Sequence, residues 1–191
     1  MGVIESPELL RRHRLTVDEY CRLTDAGVLG PEDRVELIEG EVVDMAPIGT
    51  RHALTVKELT RRLYRSVADD AVISVQDPLR LDDRSQPQPD LMILCVRADR
   101  YEQAHPAPAD VWLLIEVSDT TARYDREIKV PLYARAGVQE VWVVDLEARL
   151  LRCYRAPLNG EYGHTQTAAA PGLMPLPGLP GLHIDMSGLW G

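Results

Sequence analysis

The chain has 191 residues, 45% apolar and 27% charged, which suits one globular domain burying roughly 70% of its unfolded surface. Its formal net charge of −9 argues against a protein that coats nucleic acid by bulk positive charge. No apolar run approaches the roughly 20 residues of a membrane-spanning helix, and the charged first 30 residues hold no signal-like apolar stretch, so no membrane association and a cytoplasmic location are expected.

Residues 1–15 are charged and read as a flexible lead-in. Thr16-Val17-Asp18-Glu19 has the form of a capping box, so a short helix follows, ending near Gly27. Arg34 to Met45 reads as a hairpin, two β-rich runs about a turn at Glu39-Gly40. Residues 52–69 form the first long helix, with Leu54, Val56, Leu59, Leu63 and Val67 as its apolar stripe. Ala71–Gln76 and Leu79–Leu81 are candidate strands, with Pro78 favouring a bend or an edge between them. Asp82–Gln88 is a polar loop. Leu91–Cys95 and Val111–Val117 are buried strands. Residues 122–136 form the second long helix, stopped by Gly137 and interrupted by Pro131, which removes one helical hydrogen bond and predicts a kink beside Lys129. Glu140–Asp145 and Leu150–Arg155 form a second hairpin. The Pro/Gly-rich stretch 171–182 reads as a tail wrapped on the domain surface. This order predicts a mixed sheet flanked by helices in one domain over 1–191, with no internal repeat.

Cys21, Cys95 and Cys153 are far apart, each in an apolar segment, and read as buried free thiols. The five histidines lack zinc-ligand spacing.

The informative pattern is a set of charges where apolar residues belong. Glu116 lies near the end of the core strand Trp112-Leu113-Leu114-Ile115-Glu116-Val117, where period-2 alternation puts it on the face of Leu114 and Trp112. Asp90 opens Asp90-Leu91-Met92-Ile93-Leu94, and Glu36 interrupts Val35-Glu36-Leu37-Ile38. Isolated buried carboxylates cost several kcal/mol unless a cation compensates them. Any one of them alone is better read as a strand-end group in solvent or against an arginine; the set suggests a shared cation. On the second helix Asp125, Lys129 and Tyr133 are four apart and share a face, with Ile128 and Leu132 on the adjoining apolar side. Lys129 thus borders the buried stripe, either to meet the carboxylates or to snorkel beside Asp125.

These residues resemble the PD-(D/E)xK nuclease superfamily, and more closely the Uma2 family of bacterial endonucleases (domain of unknown function 820). The resemblance runs from about Thr16 to about Leu189, through Val35-Glu36-Leu37-Ile38-Glu39-Gly40-Glu41, Gln88-Pro89-Asp90-Leu91, Leu114-Ile115-Glu116-Val117-Ser118, Thr121, Asp125, Lys129, Tyr133-Ala134-Arg135-Ala136-Gly137-Val138, Glu140-Val141-Trp142-Val143-Val144-Asp145 and Pro180-Gly181-Leu182-His183-Ile184-Asp185. It implies an α/β (α+β) restriction-endonuclease-like core: a mixed central β-sheet flanked by helices, an N-terminal helix and hairpin, and a C-terminal β extension. It also implies a divalent-metal-dependent endonuclease with Glu36, Asp90, Glu116 and Lys129 as its catalytic cluster. Asp90, Glu116 and the carbonyl of Val117 would hold Mg²⁺ or Mn²⁺. Asp125, Tyr133, His52 and Ser118 would stand behind them, Asp125 or Tyr133 positioning Lys129 and His52 capping the first long helix or lying near a phosphate. One departure is clear: the superfamily lysine two residues after the second acid is Ser118 here, and the lysine is displaced to Lys129. The implied partner is nucleic acid, DNA first, and a homodimer is expected, with the tail or the Val141–Tyr154 hairpin and its Trp142 as contact surfaces. The alternative is an inactive nucleic-acid- or protein-binding module on the same fold, or a metal-dependent hydrolase of another substrate.

Overall fold

The structure, a computed structural model, describes residues 12–30 and 32–190; residues 1–11 of the expected lead-in lie outside the described residues. Thr16 caps α1 (Val17–Asp25): its hydroxyl accepts the Glu19 N–H at 3.2 Å, and the Glu19 carboxylate accepts the Thr16 N–H at 2.8 Å. Two N–H groups that the helix leaves unpaired are thereby satisfied. Val17 and Tyr20 of α1 pack on Val35 and Leu37 of the first hairpin, β1 (Val35–Ile38) and β2 (Glu41–Asp44). Glu39 and Gly40 at its turn both have positive φ, 50° and 81°, as a tight hairpin turn requires.

The central sheet runs β3 (Val72–Val75), β4 (Leu91–Leu94), β5 (Val111–Ser118), β6 (Glu140–Asp145), β7 (Leu150–Leu158) and β8 (Glu161–Ala168), side by side in that order. Every pairing is antiparallel except β5 with β6. A parallel pair needs a crossover, and the helical stretch between β5 and β6 supplies it. The long helix α2 (Thr50–Val67) covers one face, where Val56, Leu59, Leu63 and Val67 meet Leu113, Ile115, Val117, Trp142 and Val144. The crossover covers the other, where Val130, Leu132 and Tyr133 meet Met92, Leu114, Val141 and Val143. The mixed α+β class expected from the sequence holds. No helix among the described residues is long and apolar enough to cross a membrane.

Several local expectations fail for identifiable reasons. Leu54 is 69% exposed; it lies off the stripe that its four apolar neighbours define. Leu79–Leu81 is not a strand. Leu79 and Leu81 are buried, but their N–H groups bond Pro87 and Ser85 within a closed loop. The strand β8 was not anticipated because its residues are mostly exposed and show no apolar alternation; its signal was the turn Asn159-Gly160, both at positive φ. Only Cys153 of the three thiols is buried.

Alternation also misplaced Trp112. A β-bulge pairs Ile93 with Leu113 but Leu94 with Val111, and the extra residue turns Trp112 toward the α2 face. There it packs with the tail, whose β9 (Leu173–Pro175) and β10 (His183–Asp185) form a small hairpin. The tail sends Leu176, Leu179, Ile184 and Met186 into the core, so it completes its own domain. Trp142 is fully buried and offers no contact surface to a second copy.

The second long helix is not uniform. It comprises α3 (Ala122–Tyr124), a π-helical turn (Asp125–Lys129) and α4 (Val130–Ala136), ended by Gly137 at φ 83°. The Val130 N–H reaches back five residues to the Asp125 carbonyl. This wider turn makes room for the Pro131 ring, which clashes with the preceding turn of an α-helix and carries no N–H. A π turn stands where a kink was expected. Ile128 falls on the outer side of it, 43% exposed.

Candidate active site

Four buried carboxylates and one buried amine converge where the first hairpin, the N-terminus of α2, the ends of β4 and β5 and the π turn meet. Glu36, Asp90, Glu116, Asp125 and Lys129 all line one cavity of about 520 Å³. Glu116 lies on the crossover face of β5, with Leu114, as alternation required. Asp90 immediately precedes β4 and is held by three donors: the Val117 N–H at 2.9 Å and His52 Nε2 at 3.0 Å to Oδ2, and Gln76 Nε2 at 3.2 Å to Oδ1. The Val117 bond fixes the Asp90 carboxylate beside the residue that follows Glu116.

Lys129 Nζ lies 3.0 Å from Glu36 Oε2 and 3.3 Å from Glu116 Oε1. Glu36 also accepts the Gln88 N–H at 3.1 Å and, more weakly, the Tyr124 hydroxyl at 3.4 Å. The Tyr133 hydroxyl donates to Glu116 Oε1 at 2.6 Å. Glu116 Oε2 accepts no hydrogen bond from the described residues, although Glu116 lines the cavity. Neither Asp125 nor Tyr133 bonds Lys129, contrary to the positioning role expected of them. Asp125 Oδ2 instead accepts the hydroxyls of Ser118 and Thr121, each at 2.7 Å. Ser118, where the superfamily lysine would stand, thus ties the end of β5 to the π turn.

His52 lies within the first turn of α2, not before it, and bonds Asp90. Its Nδ1 is buried without a partner among the described residues. The hydrogen bond to Asp90 raises the His52 pKa against the opposing effect of burial.

Electrostatics separate this cluster from the rest of the interior. Burial pushes the Glu116 carboxyl up to about 8; Lys129 pulls it down, and Asp125 and Asp90 push it up again. Burial likewise raises Asp125. Burial opposes the charge on Lys129, but Glu116, Glu36 and Asp125 together raise its pKa, so the amine stays protonated. Two further buried carboxylates provide an internal comparison. Asp145 meets Arg126 and Arg152 at 3.2 and 2.8 Å, and Glu140 meets Arg155 at 2.8 Å and the Trp142 N–H at 2.6 Å. Those are compensated structural acids. The four buried cavity acids, Glu36, Asp90, Glu116 and Asp125, have no arginine partner among the described residues and share one lysine and one histidine.

Among the described residues no three His, Cys, Asp or Glu side chains are grouped so as to grip a metal ion by themselves. The donor set nonetheless fits a hard divalent cation. Such ions take one or two protein carboxylates and keep several waters, and Asp90, Glu116 with its uncommitted Oε2, and the backbone of Val117 lie together in a cavity with surplus negative charge.

Gln76 and Tyr124 were not anticipated. Gln76 was findable from strand pairing, since Val75 faces Leu91 and the next pair along is Gln76 with Asp90. Nothing in the local pattern singles out Tyr124; only the π turn brings its hydroxyl to Glu36.

The fold is that of a nuclease-like α+β protein. It is similar to the crystal structure of "a putative nuclease belonging to DUF820 from Anabaena variabilis ATCC 29413", with a TM-score of 0.70 and 20% sequence identity over 92% of this chain and 97% of that one. No curated protein matches the sequence. The chain belongs to the Uma2 family, described as "Putative restriction endonuclease", whose model matches residues 17–187.

Proposed function

We propose that this protein is a divalent-metal-dependent endonuclease that hydrolyses phosphodiester bonds of nucleic acid. The observation that carries this reading is a contrast: buried acids elsewhere are neutralised by arginine, whereas Glu36, Asp90, Glu116 and Asp125 line one open cavity in which Lys129 is the only Lys or Arg among the described residues that pairs with any of them. Family membership points the same way.

Asp90, Glu116 and the Val117 carbonyl would hold Mg²⁺ or Mn²⁺, which supplies Lewis-acid polarisation of a phosphoryl oxygen and of a water. Lys129 stays charged, so it acts as a donor to the attacking water or to oxygen carrying developing negative charge, not as a proton acceptor. Glu36 anchors the Lys129 amine from the hairpin side. Tyr133 and Tyr124 orient Glu116 and Glu36, while His52 and Gln76 fix the plane of Asp90.

The test is cleavage of single- and double-stranded oligonucleotides with Mg²⁺ or Mn²⁺, using the unsubstituted protein and Asp90→Asn. Cleavage that needs the ion and disappears in Asp90→Asn is expected. Ion-independent cleavage, or full activity in Asp90→Asn, would remove the reading.

A second reading, an inactive binding module, is favoured by Ser118 standing where the superfamily lysine is found. It requires that millimolar Mn²⁺ leave no heat of binding in calorimetry, whereas the nuclease reading requires saturable binding.

A further inference from the structure

A second cavity of about 470 Å³ adjoins the acidic one, and the two share Arg34, Met45, Ile48 and Gln88 in their walls. Resting on the nuclease reading above, we propose that this second cavity is a substrate subsite: it seats the unpaired nucleotide next to the scissile phosphate, with Arg34 on the backbone phosphate between them. The substrate is therefore single-stranded nucleic acid.

Arg34 is the partition between the cavities and, among the described residues, the only Lys or Arg lining both. The other cation of the acidic cavity, Lys129, is buried and committed to Glu36 and Glu116. Arg34 is exposed, and its Nη1 donates to the Ala46 carbonyl at 2.8 Å. It forms no ion pair with the described residues, although Asp33 and Asp44 stand nearby in the cavity walls. One N–H holds the guanidinium in place while the others remain available, an arrangement suited to bidentate contact with phosphate.

The surroundings match the rest of a nucleotide. Met45 and Ile48, the latter 44% exposed, place an apolar surface beside the guanidinium. Gln76 and Gln88 commit their amide N–H groups to Asp90 Oδ1 and the Val35 carbonyl, at 3.2 and 3.3 Å. Those bonds fix both amides the other way round, so each carbonyl oxygen is left as an acceptor bonded by no described residue. Acceptors beside an apolar wall suit a base edge and face.

Size and charge select the unpaired form. Each volume is in the range of pockets that hold one small molecule; a paired base inside a helix does not enter such a space without being extruded. The walls also carry Glu32, Asp33 and Asp44, which repel the second phosphate row of a duplex while Arg34 meets the first.

The test uses the full chain in EDTA and fluorescence anisotropy with a short labelled oligothymidylate, alone or annealed to oligoadenylate. The single strand is expected to bind more tightly than the duplex. Arg34→Gln should weaken single-strand binding by about tenfold and flatten its salt dependence. Thr24→Trp, on the exposed side of α1 and lining only the second cavity, should also weaken it. Both variants must melt as the unsubstituted protein does; if Arg34→Gln does not, Arg34→Lys, which keeps the charge but loses the planar fork, should bind with intermediate affinity. Equal affinity for duplex, no oligonucleotide binding, or unchanged binding by both variants overturns the proposal. Ion-dependent cleavage with unaltered KM in Arg34→Gln would overturn the subsite and leave the nuclease reading intact, whereas no cleavage by the unsubstituted protein would remove both.

Discussion

The Nζ of Lys129 lies 3.0 Å from Oε2 of Glu36, joining the π turn to the first hairpin through a pair in which both side chains are almost wholly buried. Removing one partner of such a pair leaves an uncompensated buried charge, at about 3–5 kcal/mol. Lys129→Ala is therefore expected to be destabilised by about that amount in urea denaturation, and Glu36→Gln added to it should recover part of the loss. Additive effects of the two substitutions would show that the pair is not energetically coupled. Activity lost in Lys129→Ala thus needs its folded fraction measured alongside.

Manganese is expected to stabilise the folded chain. A ligand that binds only the native state adds about 2.7 kcal/mol at a hundred times its dissociation constant. The melting temperature should rise with Mn²⁺ concentration, and Asp90→Asn should abolish the rise. An equal rise in Asp90→Asn would place the ion elsewhere.

Stability in EDTA should fall as pH rises from about 4.5 to about 8, because Glu116 holds its proton to about 8 in the fold against 4.5 as its ordinary value. Across that window the native state binds more protons than the unfolded one, so its stability declines with pH, by about 1.4 kcal/mol for each unit of separation at most. Glu116→Gln, which keeps the shape and cannot ionise, should flatten this decline in thermal melts at pH 5 to 8. A decline equally steep in Glu116→Gln would assign it to another group.

Gly178 lies under Trp112 at φ 74°, where an added Cβ would meet the indole Cγ at 2.5 Å; Gly181, at φ 83°, has nothing within 4 Å. Both Gly→Ala changes force a side chain into left-handed backbone, at about 1 kcal/mol. Only Gly178→Ala also displaces the indole, so it should be more destabilised, by a further 1–3 kcal/mol or so, with a shifted tryptophan emission. Equal melting of the two variants would show that the tail does not press on Trp112.

The sequence made the cluster legible because its signal is chemical. Glu36 and Glu116 each interrupt an apolar run and Asp90 opens one, and such a charge is visible wherever the run itself is. Lys129 was visible for the same reason, as a charge on the edge of a helical stripe. What depends on an added residue was not legible: the bulge that turns Trp112 and the π turn that brings Tyr124 to Glu36 both break the period on which face assignment rests. Partners also stayed hidden. Nothing local says that Tyr133 bonds Glu116 and not Lys129, or that Ser118 bonds Asp125, since each bond joins segments that only the crossover brings together. Strand β8 was obscured because backbone pairing, not an apolar face, holds it.

The π turn has one residue more than an α-helix needs to cover the same rise. Deleting Arg126 would force the stretch into α-helical geometry, with the Pro131 ring against the preceding turn, and swing everything before it by about 100° relative to α4. Tyr133 and Lys129 would stay with the core, while Asp125 and Tyr124 would rotate away from Ser118 and Glu36. A homologue shortened by a single codon at this point would thus keep its hydrophobic layers and lose half of the polar framework around its acids. The length of this segment alone would tell a folded but disarmed relative from an intact one.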